Sequence, residues 1–409
     1  YGAAYREADD EVWRCDEADN DCDGEVDEAC CGSGATPTPT QFGEPEHPAH
    51  FPAIVRAHAE SPEGTAFLMG FEVDGEVVVQ HLDRSGTPVG ELRPTGIRGG
   101  DLRGVAMVKT DGGYAIAAAI ERETPEFVVA RLEPDLRRKT EPTTVVDSTS
   151  GAPIVGAGAA ADRATIWVAY SSGPDADHLE VRVASLSFES GDVTTEPERA
   201  GASEDDMLEI PTKPSVAIVG GSPLVVWWDR DDERIRGGRP LSDRQFRVPA
   251  AAGSEDFEPV SVTGIGETAH LIYPDNDDAS TGSLTHLAVG PDETGELSGA
   301  TSLTQATALN RSPEAVAVDR DGDGTDDHLL MVWQRGSGSD ATVVAGTVAS
   351  TSPGTVSPRA LVSGDDSTVF PALAVDGGRA GAVWQTALSG SAEAVEYAPV
   401  SVEGVPVCP

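Results

Sequence analysis

Two stretches of this chain space their oxygen donors in a way that can do chemistry. In CDEADNDCDGEVDEAC, from Cys15 to Cys30, Asp19, Asp21 and Asp23 occupy alternate positions, Gly24 follows, and Asp27 and Glu28 close the group. Carboxylates at positions one, three and five, a glycine for the sharp turn and a backbone carbonyl at position seven, here Glu25, suit a loop around Ca2+. That ion takes about six to eight hard oxygen ligands. The twelfth position, where an EF-hand loop needs glutamate, is Cys30, so this is no ordinary EF-hand. The second stretch is DRDGDGTDD. Asp319, Asp321, Asp323 and Asp327 stand at positions one, three, five and nine, Gly322 and Gly324 permit the turn, and Thr325 offers its carbonyl. Zinc is a weak alternative for the Cys15 to Cys30 stretch, because its spacings lack a C-x-x-C pair and the intervening donors are hard carboxylates.

The elements that must carry these loops are strands. Seven times a proline or its equivalent opens a short apolar strand, and a second apolar strand ends on a large side chain. KPSVAI…PLVVWW runs from Pro214 to Trp227 and FPALAV…AGAVWQ from Pro371 to Trp384, each with a spacing of 13. Pro52 to Phe71, Leu102 to Ile120, Pro153 to Tyr170, Pro259 to Tyr273 and Pro313 to Trp333 complete the set once hairpin tips are allowed to lengthen. A third, alternating strand follows, as in EVVVQHL from Glu76 or TVVAGTV from Thr342. Four strands per unit and seven units predict an all-β, seven-bladed β-propeller. The recurrent aromatics Trp227, Trp333, Trp384, Tyr170 and Tyr273 then belong between blades, and Trp228, one residue out of register, faces the other side of its sheet.

The ends of the chain predict how the ring closes. Pro39 stands 13 residues before Pro52, as Pro358 does before Pro371, and the chain stops where a last outer strand is only beginning. Residues near Thr38 to Phe42 are expected to supply that strand. The domain reading is an acidic, Cys-rich metal-binding segment over 1–35 and a propeller over 36–409, closed by pairing of its first and last strands. DRDGDGTDD sits at the hairpin tip of the sixth blade, where the spacing grows from 13 to 20.

The Cys15 to Cys30 segment resembles the short metal-binding motif of secreted bacterial proteins and is similar to thrombospondin type 3 calcium repeats. That resemblance implies Asp19, Asp21, Asp23 and Asp27 as ligands, with Glu28 joining them. DRDGDGTDD resembles the calcium loops of integrin-type FG-GAP propeller repeats, D-x-D-G-D-G-x-x-D, although only this one blade matches. About two structural Ca2+ sites are therefore expected.

Four of the five cysteines, Cys15, Cys22, Cys30 and Cys31, lie near the start and Cys408 is next to last. Pairing of Cys408 with Cys30 or Cys31 would staple the ring, and Cys15 would pair within the acidic segment. Five is odd, so one thiol remains over. Disulfides imply an oxidising compartment, and a chain opening on Tyr1 suggests a removed leader. A secreted or outer-surface bacterial location is expected. With 70 acidic against 28 basic residues and a net charge of -42, the surface repels nucleic acid and anionic lipid. No stretch reaches the length of apolar residues needed to span a membrane as a helix.

Catalytic motifs are absent from the linear sequence. The eight histidines show no metalloprotease pattern, there is no G-x-S-x-G elbow, and the S-x-D-x-G-x-T-W box of sialidases is missing. His47 and His50 suggest loop packing, and Arg56 and Arg103 stand near the strands expected to line the channel. The leading expectation is a non-catalytic, calcium-stabilised protein that binds a protein or glycan partner on the cell surface or in an extracellular assembly. The alternative is a hydrolase or lyase acting on polysaccharide at the channel mouth, and a third reading is an architectural subunit.

Overall fold

The computed structural model describes residues 39–43, 47, 49–147, 153–175, 178–200, 214–229, 234–240, 245–249, 260–275, 281–320, 323–336, 341–362, 368–387, 393–405 and 407. Among these residues every regular element is a strand, and the strands form seven antiparallel sheets arranged as a seven-bladed β-propeller. The inner strands of blades 1 to 7 are Ala49–Arg56, Asp101–Thr110, Ile154–Asp162, Ser215–Val219, Ser261–Ile265, Asn310–Val318 and Thr368–Asp376. Each pairs with the next strand through a hairpin, and the third and fourth strands follow outward. No helix is long and apolar enough to cross a membrane.

Blade 7 takes its outermost strand from the other end of the chain. Thr40–Phe42 lies antiparallel to Glu393–Ser401, with Thr40 opposite Tyr397 and Phe42 opposite Val395. Blade 4 gains a fifth strand that the four-strand repeat did not foretell. Gly295–Glu296 runs parallel to Gln245–Pro249, and the Leu297 N–H donates to the Arg247 carbonyl at 2.8 Å. A covered edge has no free ladder groups to recruit another chain.

The core lies between blades because alternation gives each strand one face toward each neighbouring sheet. Leu68, Val77 and Val79 of blade 1 pack on Met107, Ile116 and Ala118 of blade 2. The aromatics that end the second strands fill the same inter-blade layer. Tyr170, Trp333 and Trp384 are fully buried, and Trp227 and Tyr273 nearly so. Trp227 packs toward blade 3 with Ala169 and Val183, while Trp228 packs toward blade 5 with Tyr273. Burying side chains of this size contributes on the order of 1.5–3 kcal/mol each. A buried ion pair, Asp229 with Arg236 at 2.5 Å, lies within blade 4 at the start of an acidic stretch whose next residues are outside the described set.

The recurring proline has a location that its linear position did not reveal. The inner strand of blades 1, 2, 3, 6 and 7 slips register after His50, Leu102, Val155, Arg311 and Val369. Pro52, Pro313 and Pro371 sit inside these bulges, where a residue without an N–H costs no ladder hydrogen bond. In blade 2 the position is Gly104, and a Cβ there would stand 2.9 Å from the Ala157 nitrogen in the bulge of blade 3. The bulges therefore form a crowded collar at one end of the channel.

Candidate functional site

The collar opens into a mouth lined by side chains from blades 7, 1 and 2. His50 opens the bulge of blade 1 and is paired in register with Glu72 on the next strand. In blade 2 Asp101 is paired with Glu121, one position before the last pair ahead of the bulge, Leu102 with Ile120. Arg103, in the bulge itself, donates through Nε to Glu121. From blade 7, Glu393 Oε2 stands 2.6 Å from His50 Nδ1, and Gln385 donates to the same carboxylate. The Gln385 Oε1 accepts the Phe51 N–H at 3.0 Å. Phe51 has φ 50, a conformation that costs a non-glycine residue roughly 1–3 kcal/mol and that persists only where neighbours enforce it.

Glu72 is the titratable group that this arrangement perturbs. Its half-buried carboxyl is held above the usual carboxylate range. Burial is the main cause, the neighbouring Asp101 charge adds to it, and the His50 charge and the Gly75 N–H oppose it. Asp101 itself is exposed. A carboxyl shifted toward its protonated form beside an accessible second carboxyl is a pairing suited to general acid catalysis. Behind the mouth the channel narrows to a cavity of about 110 Å3, with Ala53, Val105, Ala157, Val262 and Ala372 in its wall and Ser215 and Glu314 as its polar members. That is room for several waters, and anything larger would meet the protein at the mouth.

Sequence reasoning placed its site residues elsewhere. Asp19, Asp21, Asp23, Glu25, Asp27 and Glu28 lie outside the described residues, as do all five cysteines and Asp321. Asp319, Asp323, Thr325 and Asp327 are at the hairpin tip between Asn310–Val318 and His328–Arg335, the end of the blade away from the collar. Asp319 accepts the Asp323 N–H at 3.1 Å and the Gly324 N–H at 2.7 Å, and Asp323 accepts the Thr325 N–H at 2.8 Å. Asp327 Oδ1 is 2.6 Å from His328 Nδ1. The Asp326 carboxyl is raised by burial and by the Asp319 and Asp327 charges. Among the described residues no three His, Cys, Asp or Glu side chains converge as a metal site. Arg56 is also at the far end of the channel, paired with Asp376 at 2.8 Å. Arg103, noticed near an inner strand, is at the mouth, and so is His50, which the sequence suggested only as loop packing.

No protein-family model matches the chain, and no curated protein does. Among solved structures, an α-L-arabinanase from Penicillium chrysogenum in complex with arabinobiose is similar over 91% of this chain and 99% of its own, at 13% identity and a TM-score of 0.53. An α-L-arabinofuranosidase of Fusarium graminearum with arabinobiose is similar over 90% and 96%, at 10% identity and a TM-score of 0.51. A lectin from Burkholderia pseudomallei is similar over 87% and 97%, at 14% identity and a TM-score of 0.56. At such identities the likeness shows the fold. The expectation of a non-catalytic surface module is nevertheless corrected by the glycoside hydrolases among these propellers. That expectation rested on the lack of a local motif. Such a lack carries no weight when His50, Glu72, Asp101 and Glu393 are brought together by ring closure and by strand register.

Proposed function

We propose that this protein is a glycoside hydrolase acting on polysaccharide at the collared mouth of the propeller. The observation that carries the reading is the raised Glu72 carboxyl beside Asp101. Glu72, in its protonated form, donates its proton to the oxygen of the leaving sugar as the glycosidic bond breaks. Asp101 supports the developing positive charge at the anomeric carbon and assists the incoming water, the division of labour that paired carboxyls perform in glycoside cleavage. The closed channel behind the mouth keeps the substrate on one face. Arabinose oligomers, present in two of the similar propellers, are the first substrates to try.

The test is release of reducing sugar from arabinan and from a panel of neutral and acidic polysaccharides by the wild type and by Glu72→Gln. Loss of a proton donor costs about 100-fold or more, while the melting temperature should stay or rise, because a buried carboxyl becomes an amide. If the wild type cleaves nothing in the panel, or if Glu72→Gln cleaves as fast as the wild type, the reading is wrong.

We also infer Ca2+ at the DRDGDGTDD loop and in the Cys15 to Cys30 segment, with a structural role. The sequence spacing supports this, and so does the mutual repulsion of Asp319, Asp326 and Asp327, which a bound cation would relieve. Asp319, Asp321, Asp323, Thr325 and Asp327 would hold one ion. A secreted location fits both that ion and the cysteines, and the partner outside the cell is then the glycan itself.

A further inference from the structure

The mouth contains one more connected set of side chains, and it crosses the seam where the ring closes. Gln385, 7% exposed, fixes the strained Phe51 through its N–H and donates its own amide hydrogen to Glu393. Glu393 in turn holds His50 through Nδ1 at 2.6 Å. A carboxylate only accepts, so Nδ1 carries a hydrogen in this contact. Both members are partly buried, with side chains 29% and 35% exposed. His50 lies opposite Glu72 in register. Blade 7 therefore holds the imidazole that stands opposite Glu72 in blade 1.

We propose that Glu393 is a positioning residue of this site: it holds His50 against blade 1, opposite Glu72, and without that hold Glu72 gives up its proton at a different pH. This rests on the catalytic reading of Glu72. The direction follows from charge. With His50 charged, the ionised Glu72 is favoured, and with His50 neutral, burial and Asp101 keep the proton on Glu72 longer. Other charged groups in the neighbourhood are Asp101 and the Arg103–Glu121 pair from blade 2, Glu76 opposite Arg98 in blade 1, and the His47–Asp74 pair at 2.8 Å. Glu396 of blade 7 accepts from Trp384 Nε1 at 2.8 Å. Among the described residues Glu393 is held by His50 and by Gln385.

The experiment is a carboxyl 13C NMR titration of Glu72 in the full chain, assigned by its loss in Glu72→Gln. Glu393→Gln should move the Glu72 midpoint upward by about one pH unit, the smaller end of what an adjacent opposite charge does. His50→Asn should move it as far, and the double variant no further. Glu393→Asp, which restores a carboxylate, should return the midpoint part of the way. A purely structural Glu393 would alter the melting temperature in Glu393→Gln and leave the midpoint in place, which would sink the proposal. Should Glu393→Gln fail to fold, His50→Asn decides alone, because an unmoved midpoint there removes the link between His50 and Glu72. The readout needs no substrate. A moved midpoint in a protein that cleaves no glycan would keep the relay and discard the hydrolase reading, and active enzyme with an unmoved midpoint would do the reverse.

Discussion

Single residues in this protein differ most in how their burial bears on their charge. His81, His270 and His286 are all buried, and burial lowers each imidazole below its ordinary range; for His81 and His286 the value falls to about 4. His270 Nδ1 and His286 Nε2 are 2.9 Å apart, so a charge on either would repel a charge on the other. The folded state holds the neutral forms, whereas the unfolded chain titrates near the ordinary value of about 6.5. Stability from these groups is thus complete above that value and falls as pH drops toward 4, by up to about 1.4 kcal/mol per pH unit per group. Of the three, His81 has an Nε2 with no hydrogen-bond partner among the described residues. His81→Leu should therefore melt at or above the wild-type temperature at pH 7 and lose less on going to pH 4.5. Equal acid losses in the two proteins would mean that His81 takes up its proton as readily in the fold as in the unfolded chain.

At the scale of the strand, the closing element is short for what it does. Thr40–Phe42 is a three-residue strand, yet it forms the outer edge of blade 7, and Phe42 packs on Phe71 of blade 1 with ring centroids 6.1 Å apart. Tyr397 beneath it is fully buried and donates its hydroxyl to the Arg84 carbonyl at 3.0 Å. Gly86 leaves space for that ring, since a Cβ there would meet it at 2.1 Å. Phe42→Ala should cost about 1–3 kcal/mol, less than a fully buried phenylalanine would, and should speed amide exchange along Glu393–Ser401 before it does so elsewhere. Uniform exchange across all blades would show that the ring opens as a whole. The spacing of 13 residues before Pro52 made this strand legible in sequence. The fifth strand of blade 4 was not legible, because two residues pairing in parallel leave no periodicity.

For the molecule as a whole, the acidic surface and the aspartate loops make cations the natural lever on stability. A net charge of -42 weakens a compact state by self-repulsion, and calcium bound to the folded form alone adds stability that grows with its concentration. The wild type should melt several degrees higher in 2 mM calcium than in excess EGTA, and Asp323→Ala should reduce that gap while leaving cleavage at the opposite mouth intact. An unchanged melt in EGTA would leave the DRDGDGTDD loop as an acidic turn.

The amino-acid sequence by itself determined the class and the count: strand alternation, turn residues and a repeated large side chain specify seven sheets whose cores lie between them. Trp227 and Trp228 fall on opposite faces for the same reason, a side-chain period of two. Which residues share the mouth was decided only by the tertiary structure. Glu393 and His50 are 343 positions apart, and nothing in their local neighbourhoods marks them, because what joins them is the ring's curvature. Glu72 gives no signal in sequence either. Its carboxyl is unusual through burial and through Asp101 on the next blade, and both are properties of the assembled collar. The prolines show the division most plainly: their recurrence was visible in the chain, but only the fold placed them in bulges that shape a site.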